Sequence, residues 1–313
     1  MSDPLLEIKN LVTGFETESG LLKAVDGVSF TVPKGTCVGI VGESGCGKSV
    51  TAMSIVRLLP QPMGKILDGQ ILFKGRDLVQ AKETDMHGIR GRHIGVIFQE
   101  PMTALNPVHS IGRQIGESLM LHRGMNTREA RDAAIQLLQR VRIPAPEQRV
   151  DEFPHQLSGG MRQRALIAMG ISADAELLLF DEPTKGLDEA RIRLVADTLN
   201  ELDGQTMVCV THDLSFARDV ANRIGVMYAA NLIEVADADE LYAHPLHPYT
   251  RDMLAAMPEN GLHFRPGYAP AHDDTRVTGC KYRMRCPNCS EKCAEMPPMA
   301  DVDGHKVRCW QYV

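Results

Sequence analysis

The stretch Gly42-Glu43-Ser44-Gly45-Cys46-Gly47-Lys48-Ser49 follows the apolar run Cys37-Val38-Gly39-Ile40-Val41 and precedes a segment of helical character that starts at Val50. Its glycines allow the backbone to bring successive N–H groups close to a phosphate, and the helix that follows adds its positive N-terminal end. Lys48 then reaches the outer phosphates of a nucleotide, and the Ser49 hydroxyl holds a magnesium ion. A strand before the loop and a helix after it favour this interpretation over a glycine-rich turn that matches by chance.

A second motif adds hydrolysis to nucleotide binding. The run Leu177-Leu178-Leu179-Phe180 is fully apolar, as in a buried parallel strand, and it ends at Asp181 and Glu182. An Asp at this place helps to hold magnesium, and the Glu beside it is suited to orient or deprotonate the attacking water. The alternative interpretation is an acidic cap at a helix N-terminus.

A third motif lies shortly before that strand. Residues 157–163 read Leu157-Ser158-Gly159-Gly160-Met161-Arg162-Gln163, which resembles the signature of the ATP-binding cassette family. The resemblance implies an α/β fold, with a P-loop NTPase core, a mainly parallel sheet and a helical subdomain. It further implies an ATPase that uses ATP and Mg²⁺.

Other family elements follow in the expected order. Gln99, in Val96-Ile97-Phe98-Gln99-Glu100, resembles the glutamine that contacts magnesium and the attacking water, and His212 resembles the switch histidine that contacts the terminal phosphate. Phe15 is the candidate for the ring that stacks on adenine, although a single aromatic residue near an N-terminal strand is also a common core residue. The resemblance thus assigns catalysis to Glu182, His212 and Gln99, magnesium to Ser49, Gln99 and Asp181, and ATP contacts to Phe15, Gly42, Glu43, Ser44, Gly45, Cys46, Gly47, Lys48, Ser49 and Val50.

The resemblance also implies that the site is built from two subunits. Two cassettes of this family pack head to tail, so that Ser158, Gly159, Gly160 and Gln163 close the ATP site of the partner, and a monomer is nearly inactive. Asp188 matches the loop that touches the opposite subunit. Just before it, Lys185-Gly186 stands where relatives usually carry two small residues. We expect this change to affect the choice of partner more than hydrolysis.

Length and charge agree with one cassette and an appendage. The chain has 313 residues, whereas a single cassette has about 230 to 250. A net charge of −6 gives no broad positive field, which argues against a nucleic-acid partner. The sequence has no apolar run near the roughly 18 residues of a membrane span, and Met1-Ser2-Asp3-Pro4 does not resemble the start of a signal peptide. We therefore expect any membrane attachment to come from a partner.

The pattern along the chain predicts three stretches before a C-terminal extension. Residues 5–72 resemble a series of short strands that leads into the phosphate-binding loop, and residues 90–170 are mostly helical. Strands and helices alternate again afterwards, with Met207-Val208-Cys209-Val210 and Arg223-Ile224-Gly225-Val226-Met227-Tyr228 as strands. We expect a nucleotide-binding domain over residues 1–241, with its helical subdomain at about 90–170, and a small Cys-rich domain over residues 242–313.

Two segments resemble one branch of the family. Residues 100–107, Glu-Pro-Met-Thr-Ala-Leu-Asn-Pro, and residues 111–115, Ile-Gly-Arg-Gln-Ile, are similar to the equivalent segment in importers of oligopeptides, dipeptides and nickel. The segment His244-Pro245-Leu246-His247-Pro248-Tyr249-Thr250 resembles the start of the C-terminal extension of those importers. Its Pro steps are also typical of ordinary rigid turns.

Five of the eight cysteines lie in the last stretch of the chain. A dense cysteine group in a cytosolic protein more often binds metal than forms disulfides. Cys280, Cys286, Cys293 and Cys309 match the extension of the peptide importers, in several of which these four thiolates hold a [4Fe–4S] cluster. Cys289 is extra to that pattern, and zinc becomes the alternative if Cys289 is a ligand. Reduced cysteines without a metal are a third possibility.

Together, the resemblances imply the ATP-hydrolysing subunit of an importer for peptides or a similar small solute. The implied partners are a second ATPase subunit, homologous or identical, two transmembrane permease subunits and, indirectly, an extracytoplasmic solute-binding protein, without nucleic acid. The implied location is the cytoplasmic face of the inner or plasma membrane. Alternatives are a nickel or opine importer, a soluble cassette protein that acts on nucleic acid or ribosomes, and a regulatory module whose cysteines sense oxidants.

Overall fold

The computed structural model describes residues 4–18, 20–202, 204–263, 265–270 and 277–313. They form two compact units. The first unit contains the described residues within 1–33, 37–80 and 211–313, and the second contains residues 34–36 and the described residues within 81–210.

Strands and helices are interspersed along the chain. In chain order, the strands are β1 (Leu6–Thr17), β2 (Gly20–Val32), β3 (Cys37–Val41), β4 (Gly64–Phe73), β5 (Arg76–Asp77), β6 (Ile94–Ile97), β7 (Leu177–Asp181), β8 (Thr206–Thr211), β9 (Arg223–Tyr228), β10 (Asn231–Asp237), β11 (Ala300–Val302) and β12 (His305–Val307). The helices are α1 (Lys48–Ile55), α2 (Glu83–Ile89), α3 (Pro101–Ala104), α4 (Ile111–Arg123), α5 (Thr127–Arg140), α6 (Pro146–Arg149), α7 (Gly159–Ile171), α8 (Glu189–Asn200), α9 (Leu214–Val220), α10 (Ala238–Ala243) and α11 (Pro248–Ala255).

An antiparallel sheet in the first unit has the strand order β2-β1-β4-β5. The sequence predicted short strands in this region, but β1 and β2 are 12 and 13 residues long. The register of β1 against β2 shifts between Ile8 and Gly14. Such bulges interrupt the alternation of apolar and polar residues without ending the strand, which is why the sequence suggests separate short strands.

A second set of paired strands in the first unit includes β3, which is buried along its whole length. β3 pairs in parallel with β9, and β9, β10, β12 and β11 continue the sheet with antiparallel pairs. β12 pairs with β10 through Val307 opposite Glu234. The cysteine-rich end of the chain therefore contributes two strands to this sheet.

The second unit combines three parallel strands with helices. β7 pairs in parallel with both β6 and β8, and β7 and β8 are fully buried. Residues 90–170 contain β6 and the helices α3 to α6, together with most of α7. α5 begins with a capping box, because Asn126 accepts from the Glu129 N–H and Glu129 accepts from the Asn126 N–H. Within the described residues, every helix is too short or too polar to cross a lipid bilayer.

Candidate functional site

The phosphate-binding loop (residues 42–49) has a backbone that requires glycine at two positions. Gly42 has a φ of 151° and Gly47 a φ of 105°. A Cβ atom at Gly42 would lie 2.2 Å from the carbonyl oxygen of Met227 in β9, and one at Gly47 would lie 2.1 Å from that of Ala24 in β2. Any side chain at either position would therefore displace the loop.

Lys48 and the start of α1 bring positive charge to this loop. The Lys48 Nζ donates to the carbonyl oxygens of Gly42 at 2.9 Å and Glu43 at 3.1 Å, and Lys48 is 5% exposed. α1 begins directly after Gly47, which has no side chain to cap the helix N-terminus. A lysine and a helix N-terminus without a side-chain cap thus meet at the loop, an arrangement suited to binding phosphate.

Phe15 lies near the end of β1 and is half-buried. Two residues earlier, the Thr13 hydroxyl bonds to the Ser54 hydroxyl of α1 at 2.9 Å. The strand that carries Phe15 therefore packs against the helix that follows the phosphate-binding loop. Stacking of the Phe15 ring on adenine stays a prediction.

His212 lies beside the loop in the first unit. It follows Thr211, is exposed, and lines a cavity of about 280 Å³ together with Gly42 and Glu43. The structure thus brings Lys48, His212 and the loop together within one compact unit.

The second unit brings together the two acidic residues and the glutamine. β6 and β7 are parallel neighbours, with Ile97 opposite Phe180. Gln99 and the pair Asp181 and Glu182 therefore lie at the same edge of the sheet, where parallel strands present their carboxyl ends. Asp181 and Glu182 are 7% and 6% exposed.

The signature residues lie at the N-terminus of α7. The Ser158 Oγ caps the helix by accepting a hydrogen bond from the Met161 N–H at 3.3 Å. Ser158 is exposed and Gly159 is half-buried, whereas Gly160 and Gln163 are buried. The Gln163 amide nitrogen has no hydrogen-bond partner among the described residues. The exposed cap leaves the N-terminus of α7 accessible to an anion.

The loop before α8 is also at the surface. Asp188 caps α8 by accepting from the Arg191 N–H at 3.0 Å. Lys185 and Gly186 are both exposed, and Gly186 has a φ of 73°. Lys185 and Gly186, which stand where relatives usually carry two small residues, therefore alter the surface and leave the core unchanged.

Four of the five C-terminal cysteines line one cavity of about 150 Å³ in the first unit. They are the four that match the peptide-importer pattern in the sequence: Cys280, Cys286, Cys293 and Cys309. Cys289 is exposed and does not belong to the lining. The cavity is also lined by His247, which is buried, and by Trp310, which is half-buried.

Electrostatics agrees with this grouping of four thiols. Burial raises the pKa of Cys280 to about 11, and the nearby thiols of Cys293, Cys286 and Cys309 raise it as well. Among the described residues, however, no three His, Cys, Asp or Glu side chains are arranged to hold a single metal ion.

The residues that join the C-terminal end to the rest of the first unit were not predicted from the sequence. Glu234 is fully buried in β10, and its carboxylate accepts from the backbone N–H groups of Leu246 at 2.6 Å and His247 at 3.0 Å. It also bonds to His305 Nε2 at 2.7 Å. Arg285 forms an ion pair with Glu43 of the phosphate-binding loop at 3.2 Å. Only the position of Arg285 next to Cys286 offered a sequence signal.

The comparisons with known proteins agree with this geometry. Residues 25–185 match the family model described as ABC transporter. The chain belongs to the ABC transporter family. Residues 233–293 match a second model, described as oligopeptide/dipeptide transporter, C-terminal region. Because residues 25–185 form the ATP-binding cassette of this family, the chain is an ATPase that uses ATP and Mg²⁺.

Relatives resemble the chain over its full length. It is 43% identical to a probable peptide ABC transporter ATP-binding protein, y4tR, of Sinorhizobium fredii, over 99% of this chain and 96% of the relative. It is 41% identical to the dipeptide transport ATP-binding protein DppD of Bacillus subtilis, over 98% of this chain and 95% of the relative. Among solved structures, the bacterial ABC transporter cassette MJ0796, determined as a dimer, is 28% identical in sequence to this chain. The two structures superpose with a TM-score of 0.66, over 74% of this chain and 98% of the cassette. The fold is thus the α/β fold of an ABC ATPase.

Proposed function

We propose that this chain is the ATP-hydrolysing subunit that energises import of dipeptides, oligopeptides or a similar small solute. The observation that carries the proposal is the similarity to peptide and dipeptide transport proteins, which extends over both the cassette and the C-terminal part. This similarity favours peptide import over nickel or opine import and over a soluble ATPase without a transport role.

Uptake by cells tests the proposal. Cells that lack the gene should take up less radiolabelled dipeptide or oligopeptide than the parent, and the wild-type gene should restore uptake. Lys48→Ala should not restore it, because this variant lacks the lysine that reaches the outer phosphates. Restored uptake of nickel, with no change in peptide uptake, would contradict the proposed solute.

For hydrolysis, we propose that the carboxylate of Glu182 accepts a proton from the attacking water. The water oxygen bonds to the terminal phosphorus while the bond to the bridging oxygen breaks and ADP leaves. Gln99 orients the water, and its position at the same sheet edge as Glu182 supports this role. His212 contacts the terminal phosphate, supported by its place beside the loop.

Binding of ATP is assigned to the loop and its surroundings. Residues 42 to 50 surround the phosphates, with Lys48 and backbone N–H groups that follow Glu43 as donors, and Phe15 stacks on adenine. Ser49, Gln99 and Asp181 would hold magnesium, which supplies positive charge to the phosphate oxygens. The N-terminus of α1, whose N-cap residue is Gly47, lies at the end of this loop and supports the phosphate site.

We also propose that the working unit is a dimer of cassettes. The exposed Ser158 cap of α7, with Gly159, Gly160 and Gln163 behind it, serves the ATP of the partner, and Asp188 contacts that partner. The partner is a homologous or identical ATPase subunit. Two permease subunits would hold the dimer at the cytoplasmic face of the membrane, and a solute-binding protein would deliver the solute.

The proposed domains are residues 1–241 for the nucleotide-binding domain, with its helical subdomain at about 90–170, and residues 242–313 for the cysteine-rich domain. The matches at residues 25–185 and 233–293 support two sequence modules. The second module begins within β10, which ends at Asp237.

For the cysteine-rich domain, we propose a [4Fe–4S] cluster held by Cys280, Cys286, Cys293 and Cys309. The four thiols line one cavity. These are the four thiolates that the resemblance assigns to a [4Fe–4S] cluster, and a zinc ion, whose ligand sulfurs all lie about 2.3 Å from one ion, is the alternative. The exclusion of Cys289 from the lining supports the same ligand set.

Metal analysis of protein purified without oxygen tests the cluster. Iron and acid-labile sulfide near about four each per chain would support it. One zinc ion per chain would show that the site holds zinc and no iron–sulfur cluster. The absence of both iron and zinc would contradict any metal cofactor in this domain.

A further inference from the structure

The cavity beside the phosphate-binding loop has a second wall that belongs to the C-terminal part of the chain. Gly42 and Glu43 of the loop line it, and so do Tyr249 and Arg285 of the C-terminal part. All of these residues lie in the first unit. Both Tyr249 and Arg285 bond directly to Glu43.

Arg285 contacts the side chain of Glu43. The Arg285 Nη1 lies 3.2 Å from the Glu43 Oε1, and the guanidinium also donates to the Tyr228 hydroxyl at 3.4 Å and to the Arg265 carbonyl at 3.3 Å. It lies over the Tyr282 ring, 5.4 Å from the ring centroid. The Arg285 side chain is 13% exposed. Because it is mostly enclosed and bonded to three partners, Arg285 presents a fixed charge to the loop.

Tyr249 contacts the backbone of the same loop residue. The Glu43 N–H donates to the Tyr249 hydroxyl at 3.2 Å. The Tyr249 ring is fully buried and packs against Tyr228, with 4.5 Å between centroids, and against Tyr282, with 5.4 Å. Burial raises the pKa of the Tyr249 phenol, which therefore stays neutral. A neutral phenol in a rigid aromatic cluster is a stable acceptor for the loop N–H.

We infer that Arg285 and Tyr249 are positioning residues of the ATP site, which hold the loop around Glu43 in the shape that binds phosphate. Together they fix both the carboxylate and the backbone N–H of Glu43 before the nucleotide arrives. A loop that is already ordered loses less entropy on binding, so ATP binds more tightly. The inference rests on the proposed role of residues 42–49 in ATP binding.

The same wall ties the loop to the cysteine cavity. Arg285 directly precedes Cys286, and the turn that carries it is closed by bonds from Arg283 N–H to the Cys280 carbonyl at 3.1 Å and from Arg285 N–H to the Tyr282 carbonyl at 2.9 Å. Two of the proposed cluster ligands thus lie at the ends of the turn that presents Arg285. A change in the conformation of this turn would therefore move Arg285 and alter its contact with Glu43.

Equilibrium binding of a fluorescent ATP analogue with magnesium, together with steady-state hydrolysis, tests the inference. Arg285→Gln should raise the Kd and the KM for ATP about five- to tenfold while kcat changes less than about twofold, since the chemistry lies elsewhere. Arg285→Lys should recover part of the affinity, because it restores the charge without the fork of donors. Tyr249→Phe keeps the packing and should raise the Kd about threefold.

Arg283→Gln is the matched control. Arg283 lies two residues earlier on the same turn, is half-buried, and makes no hydrogen bond or ion pair to the described residues of the loop. It should bind ATP as the wild type does. Unchanged Kd values in both Arg285→Gln and Tyr249→Phe, or an equal rise in Arg283→Gln, would overturn the inference. If Lys48→Ala binds ATP normally, the proposed role of the loop is wrong instead.

Discussion

At the scale of single residues, Glu182 has an unusual backbone. Its φ of 51° is in the left-handed region, which costs a non-glycine residue about 1 kcal/mol or more. The Glu182 N–H donates to the Val210 carbonyl at 2.8 Å, which fixes this conformation at the end of β7. The buried carboxylate is thus held in one backbone conformation, as the proposed general base would need to be.

Glu182→Gln should therefore remove hydrolysis and keep ATP binding. The amide cannot accept the proton of the attacking water, and we expect turnover to fall about 10²- to 10⁴-fold. The Kd for ATP should stay within about twofold, because the phosphate-binding loop is unchanged. Phosphate release and equilibrium binding measure the two quantities.

Glu147→Gln is the control for this substitution. Glu147 is exposed in α6, so the same loss of charge should leave both turnover and Kd unchanged. Wild-type turnover in Glu182→Gln would show that another group serves as the base.

Cys37 gives the chain a predictable sensitivity to alkaline pH. It is buried at the start of β3, and burial raises its pKa from 9.0 to about 12. The unfolded chain therefore loses this proton from about pH 9, whereas the folded chain keeps it, so stability is lost as pH rises from about 9 toward 12. The contribution of this one group is at most about 1.4 kcal/mol per pH unit.

Denaturant unfolding at about pH 8, 9 and 10.5 measures this contribution. Cys37→Ala should be less stable than the wild type at the lowest of these pH values, because it removes a buried side chain. Its free energy of unfolding should then fall less steeply with pH. Parallel slopes for the two proteins would assign the alkaline loss to other groups.

At the scale of elements, the cysteine cavity is assembled from three separate segments. Cys280 and Cys286 lie on one turn, Cys293 lies in a short 3₁₀ helix (Glu291–Ala294), and Cys309 follows β12. The Cys280 N–H donates to the Cys293 carbonyl at 3.0 Å, which joins two of the segments. Pairing of β12 with β10 fixes the third.

Cys280→Ser should therefore lose metal, whereas Cys289→Ser should keep it. Removal of one of four thiolates leaves the centre incompletely held, and its metal content should fall severalfold. Cys289 lies outside the cavity lining, so its variant is the matched control. Metal content per chain, measured after purification without oxygen, compares the two. Loss of metal in Cys289→Ser, with retention in Cys280→Ser, would reverse the proposed ligand set.

At the scale of the whole molecule, the proposed ATPase mechanism depends on a second cassette. The Ser158 cap at the start of α7 is exposed, as a group that serves another subunit must be. Ser158→Arg should bind ATP with unchanged Kd but lose most of its turnover, because the large side chain blocks closure onto the partner. Turnover of the wild type should also rise faster than linearly with protein concentration. Normal turnover of Ser158→Arg would contradict the shared site.

The contact between Arg285 and Glu43 predicts that ATP and the metal centre influence each other. If removal of the metal by a chelator loosens the turn that carries Arg285, the Kd for ATP should rise in the wild type and stay constant in Arg285→Gln. By linkage, bound ATP should slow the loss of metal, measured by the visible spectrum. An equal rise of the Kd in the wild type and in Arg285→Gln would show that the metal affects ATP binding by a route that does not involve Arg285.

Much of this molecule could be predicted from local patterns. The glycines of residues 42–47, the apolar run before Asp181 and the signature at Ser158 each act within a few residues, so their spacing alone indicated the loop, the strand and the family. The four cysteines that the sequence singled out, of the five in the C-terminal stretch, line one cavity, and their role as metal ligands stays a prediction. The long strands β1 and β2 were not predicted, because bulges interrupt their alternation.

The sequence by itself determined the family, the ATPase chemistry and the candidate residues, because these depend on short motifs whose backbone and charge requirements are local. Only the tertiary structure decided that Arg285 and Tyr249 meet Glu43, about 242 and 206 residues away along the chain, and that Glu234 secures the segment before α11. Such contacts are set by strand pairing and by the packing of a buried aromatic cluster, which no local pattern encodes. The cysteine-rich end is thereby placed against the phosphate-binding loop.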